Sequence, residues 1–125
     1  MASFVIAYGL PFVSVTVSAN NRQLRLDNVL VDTGSGTCAF RTDDMAAIGI
    51  FVQRSDHFLF MSGIGGQEPV IEKQVDRIEV SNLAASPFRI QLGALDYGFP
   101  INGIVGMDFL LHVGATMNFR ELTLS

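Results

Sequence analysis

The chain has 125 residues, 49% of them hydrophobic and only 16% charged, with a formal net charge of −4 and a pI near 4.9. That acidic balance, with no cluster of Lys or Arg, argues against nucleic acid as a partner, and no apolar run reaches the ~18 residues of a membrane-spanning helix. One domain over 1–125 is expected, large enough for a core without metal or disulfide staples, and the surplus of apolar side chains points to a subunit interface. The single cysteine, Cys38, excludes an internal disulfide and fits a reducing compartment.

Met1-Ala2-Ser3-Phe4 has no basic flank, and the apolar residues after it are interrupted by Tyr8, Gly9, Pro11 and Ser14. That pattern reads as strand rather than signal peptide. It gives the expectation of a soluble, cytoplasmic domain, standing alone or cut from a longer parent. Phe4 to Tyr8 and Phe12 to Ser18 read as strands, the second through its apolar and hydroxyl alternation in Val13-Ser14-Val15-Thr16-Val17. Asn20-Asn21 predicts a turn, with Gln23 to Leu26 as the hairpin partner. Asn28-Val29-Leu30-Val31 is a short apolar run that fits a strand buried on both faces, and it ends at Asp32.

A short helix is expected after Thr42, with Thr42 as its N-cap, Asp43 and Asp44 at the positive end of its dipole and Gly49 as its stop. Strands follow at His57 to Met61, Val70 to Val80, Phe88 to Leu92 and Ile101 to Val105. A turn or two of helix is expected at Asp108 to His112, with Asp108 as its N-cap, and a last strand from Ala115 to Leu124. The fold class is all-β and barrel-like, with one or two short helices.

Three segments carry possible chemistry. Asp32-Thr33-Gly34-Ser35 places a carboxylate on a glycine-bearing turn at the tip of a buried strand, a costly position unless the charge is used. Ser62-Gly63-Ile64-Gly65-Gly66, between two strands, has the glycines of a bending hairpin tip and an isoleucine to cover an apolar ligand. Ile104-Val105-Gly106 runs from a strand into a turn before the second helix.

Those segments, in that order and approximate spacing, resemble the retropepsins, the retroviral-type aspartic proteases. The continuation Gly106-Met107-Asp108-Phe109-Leu110 and the close Gly114-Ala115-Thr116-Met117-Asn118-Phe119 look more like the cellular and bacterial members than the viral ones. The resemblance implies a closed acid-protease barrel, one lobe per chain, and a homodimeric aspartic endopeptidase. Asp32 would supply one carboxylate per subunit to a dyad, Thr33 would hydrogen-bond across the dimer axis, and Gly34 would leave room for the substrate backbone. Ser35 could donate to the carboxylate. Gly63, Ile64, Gly65 and Gly66 would form a flap over an extended peptide, and Ile104 would line a side-chain pocket. The terminal strands would interleave between subunits, and neither cofactor nor metal is implied. Viral enzymes usually pair an acid at the position of Gly36 with an arginine at that of Met107, and this chain has neither.

Asp-Thr-Gly-Ser-Gly-Thr also resembles a phosphate loop and Gly34-Ser35-Gly36 a dinucleotide fingerprint, but the chain is too short for the first and lacks the βαβ unit of the second. A retropepsin fold serving as a peptide-binding or dimerisation module, with little or no proteolysis, is the nearer alternative. His57 and His112 have no carboxylate or cysteine at ligand spacing and read as surface residues. Cys38 reads as a small packed residue behind the active loop, and Asp96 and Tyr97 as parts of a plain turn.

Overall fold

The computed structural model describes the backbone of residues 2–63 and 66–125, and side chains outside 61–68. Among the described residues, thirteen strands and two helices follow in order: β1 (Ala2–Ser3), β2 (Val5–Ala7), β3 (Leu10–Ala19), β4 (Arg22–Val31), β5 (Ala39–Arg41), α1 (Thr42–Ala46), β6 (Phe58–Gly63), β7 (Gly66–Val75), β8 (Arg77–Val80), β9 (Leu83–Ala85), β10 (Phe88–Gly93), β11 (Gly103–Val105), α2 (Met107–Val113), β12 (Met117–Asn118) and β13 (Thr123–Leu124). The all-β reading holds. No helix among the described residues is long and apolar enough to cross a membrane.

The β3–β4 hairpin turns at Asn20 and Asn21, whose φ angles of 53° and 59° supply the left-handed pair a two-residue turn needs. A bulge between Val13 and Val15 and a φ of 56° at Asn28 let β4 run on as one strand, where two short ones were expected. The register sets Phe12 opposite Leu30 and Val13 opposite Val29.

The decisive feature for the site is the parallel pairing of β4 with β11, in which Val29, Leu30 and Val31 face Gly103, Ile104 and Val105. Both strands therefore end side by side, at Asp32 and Gly106. On its other edge β11 pairs antiparallel with β5. The segment 32–38 must leave β4, pass over the end of β11 and return as β5. Both faces of this part of the sheet are covered. Val29, Val31, Cys38, Phe40 and Val105 join the main core with Phe109 of α2, while Leu30, Ala39 and Ile104 join a second cluster with Phe12, Leu95 and Ile101. Double coverage explains the unalternating apolar runs.

The expected closed barrel is not formed. The ten-stranded sheet runs β6-β7-β10-β5-β11-β4-β3-β8-β9, with β2 on β3, and its two end strands do not meet. Period-two alternation identifies which side chains turn inward but carries no information on whether a sheet's edges join. Here α2 packs on β9 at one end, and β6 projects with β7 at the other.

Smaller corrections have local causes. Thr42 is the first helical residue rather than the cap, which is Arg41, and no side chain caps that end. The expected strand over 70–80 breaks at Asp76, whose N–H donates to Ser18 O at 2.9 Å. The closing strand is a short hairpin, β12 with β13, and β1 adds to β13 to form a three-stranded sheet. Within the chain, then, the terminal strands satisfy one another's backbone groups.

Candidate active site

Asp32 is half-buried at the end of β4. Its N–H donates to Val105 O at 2.9 Å, extending the parallel ladder by one bond, and its carboxylate Oδ1 accepts the Gly34 N–H at 2.9 Å. The Ser35 N–H closes the turn on Asp32 O at 3.1 Å. Such an aspartate turn fixes the carboxyl group by local backbone donors while leaving Thr33 and Gly34 exposed at the tip.

Ser35 is 4% exposed, and its hydroxyl donates to Thr37 O at 2.9 Å, which braces the loop. Two backbone bonds tie the loop to the start of α2, Met107 N–H to Ser35 O at 2.8 Å and Asp108 N–H to Gly36 O at 3.2 Å. They brace the loop at Gly36 and Met107, the positions without the acid–arginine pair expected of the viral enzymes.

Gly106 is required by this crossing. A Cβ there would strike the Thr37 carbonyl oxygen and come within 2.6 Å of Thr37 C and 2.9 Å of Ser35 O. Beneath the loop, Cys38 is fully buried. Its N–H donates to Asp108 Oδ2 at 3.3 Å, its thiol to Asp108 Oδ1 at 3.2 Å, and its sulfur accepts the Gly106 N–H at 3.4 Å. Burial, with the Asp108 carboxylate beside it, pushes the thiol well above the usual cysteine range. Cys38 is a protonated hydrogen-bonding group, not an activated nucleophile.

Asp108 was read as the N-cap of α2, but the cap position is Gly106 and Asp108 lies in the first turn, accepting from Phe109 N–H at 2.7 Å. Its tie to Cys38 spans 70 positions of sequence. Sequence reading missed it because nothing local marks a long-range partner; the available sign was a second carboxylate two residues after the glycine that ends β11.

Ile104 has no exposed surface and packs with Phe12, Leu30, Ala39, Leu95 and Ile101 directly under the site. Around that cluster Tyr8 stacks on Phe99 at 5.0 Å between ring centroids. Gly63 and Gly66 pair with each other at the end of the β6–β7 hairpin. Ile64 and Gly65, the expected flap tip, lie outside the described residues, as do the side chains of 61–68.

The Asp32 loop thus presents a carboxylate on a glycine turn at the joined ends of two parallel strands, braced from below. The sequence matches the aspartyl protease family over residues 13–109, from within β3 into the first turn of α2, and the chain belongs to that retropepsin-like family. No curated protein matches it.

Proposed function

We propose that this chain, as a single lobe over 1–125, is half of a homodimeric aspartic endopeptidase in which Asp32 and Asp32 of the partner subunit form the catalytic dyad. The observation that carries the reading is the placement of Asp32, a half-buried carboxylate oriented by the Gly34 N–H on a loop tied down at Val105, Met107 and Asp108. Family membership supplies peptide hydrolysis as the activity class. The chain has one Asp-Thr-Gly motif, so in this reading the second carboxylate comes from another copy.

Two carboxylates about 3 Å apart share one proton, as is general for aspartic-protease dyads. The charged member accepts a proton from the water between them, and the hydroxide adds to the scissile carbonyl carbon. The protonated member donates to the carbonyl oxygen, giving a tetrahedral intermediate with no covalent enzyme adduct. Its collapse breaks the C–N bond as the nitrogen takes a proton, releasing an acid and an amine. Thr33, at the exposed tip of the loop, would bond across the axis, and Gly34 would admit the substrate backbone. Gly63, Ile64, Gly65 and Gly66 would cover an extended peptide and pair with it as an added strand.

Exposed apolar residues support dimerisation. Val5 and Ile6 on β2, Leu111 on α2 and Phe119 between β12 and β13 are each about half exposed or more. Asp32→Asn tests the reading: the variant is expected to keep its fold and dimer while peptide cleavage falls by at least about 10²-fold, the lower end of an acid–base contribution. Cleavage retained by that variant removes Asp32 from the mechanism.

A further inference from the structure

The hydrogen bonds behind Asp32 form a chain with one direction. Asp32 N–H donates to Val105 O at 2.9 Å, and the same Val105–Gly106 peptide unit donates its own N–H to Cys38 Sγ at 3.4 Å. Cys38 Sγ in turn donates its proton to Asp108 Oδ1 at 3.2 Å. Every donor points toward Asp108, so each link polarises the next in the same sense, the arrangement in which hydrogen bonds strengthen one another in a low-dielectric interior. Asp108 also accepts the Cys38 N–H at 3.3 Å, fixing both the thiol and the backbone from which it hangs.

We propose that Cys38 and Asp108 are positioning residues for the reaction: the carboxylate of Asp108, acting through the Cys38 thiol and the Val105–Gly106 peptide, sets the backbone of Asp32 and hence the aim of its carboxyl group. The inference rests on the reading of Asp32 as the reacting acid. Neither residue reaches Asp32 itself; both act through intervening groups. The thiol suits the middle place because it accepts from Gly106 while donating to Asp108, and its suppressed ionisation keeps its proton in place. Apolar residues of equal size would fill the same core space but carry neither bond.

Serine and alanine at position 38 separate the bonds from the packing, since both lose sulfur volume and only serine keeps a donor and an acceptor. The first readout is the Asp32 amide resonance in ¹H–¹⁵N spectra and its hydrogen-exchange rate. Cys38→Ala is expected to shift the resonance upfield and raise exchange several-fold, whereas Cys38→Ser stays near the wild type. The second is cleavage of a peptide substrate by the dimer. Cys38→Ala is expected to lower kcat about 10-fold with KM within about 2-fold, the signature of lost transition-state positioning, and Cys38→Ser to restore most of it. Asp108→Asn, which keeps the side-chain shape, is expected to move both readouts in the same direction as Cys38→Ala and serves if the alanine variant does not fold. An Asp32 amide that responds identically to serine and alanine overturns the proposal, as does a normal kcat in a folded Cys38→Ala dimer. A wild-type protein that cleaves no peptide instead defeats the proteolytic reading, and the amide comparison then still decides whether Asp108 sets Asp32.

Discussion

At Gly106 the backbone of one segment leaves no room for a side chain on another. The nearest atoms to an added Cβ belong to the Thr37 and Ser35 main chain, so no rotamer change relieves the clash. Gly106→Ala is expected to destabilise the fold by about 1–3 kcal/mol, the usual cost of overpacking, and to displace the loop bearing Asp32. A chemical-denaturation midpoint unchanged from the wild type would show that the crossing has room for a methyl group after all. The same residue scale shows what a sequence does and does not disclose. Asp32 stood out because a charge at the end of Val29-Leu30-Val31 is locally anomalous. Asp108 did not, because an aspartate in the first turn of a helix already has a sufficient local explanation, and its second role depends on Cys38 reaching it from a distant strand.

Among the elements, the strands of the hairpin β6–β7 differ in support. Ile71 to Val75 of β7 pair with β10, whereas from Gly66 to Val70 the strand partner among the described residues is β6. The outer part is thus a two-stranded arm projecting past the sheet, and an isolated hairpin is marginal in water. Its base is secured by Lys73, whose Nζ lies 2.8 Å from Asp56 Oδ1, with side chains only 17% and 15% exposed. The hydrogen bond from Lys73 and the Gln53 N–H, donating to Oδ2 at 2.6 Å, hold Asp56 below the ordinary carboxylate range. A carboxyl group whose folded pKa is depressed stabilises fully above its unfolded value near 3.8 and loses that contribution as pH falls through the folded value. Lys73→Met is therefore expected to lower the Tm at pH 7 and to lose less Tm than the wild type when the pH drops below 4 (~4, the model-peptide range). Parallel Tm–pH curves for the two proteins would refute the tie. The hairpin was legible from its glycines and flanking apolar runs; the tie at its base was not, since Asp56 and Lys73 each resemble ordinary surface charges in sequence.

For the whole molecule, the all-β class followed from short apolar runs punctuated by Gly, Asn and Pro, but the open edges of the sheet depended on packing of α2 and projection of β6, which periodicity does not encode. The reading of one carboxylate per chain is also a property of the whole molecule, and it makes activity depend on pairing. Dilution should lower specific activity once the protomer concentration falls below the dimer Kd, with the loss tracking dimer mass measured by light scattering or sedimentation. Mixing gives a sharper test, because a chain carrying Asp32→Asn keeps the surfaces that dimerise. With equal amounts of wild-type and variant chains exchanging freely, random pairing leaves about a quarter of the dimers with both acids, so the wild-type chains deliver about half their unmixed activity. A chain that worked alone would instead keep its full activity at any proportion of variant, and that outcome, with mixed dimers demonstrated by mass, would end the half-enzyme reading whatever the fate of Asp32→Asn on its own.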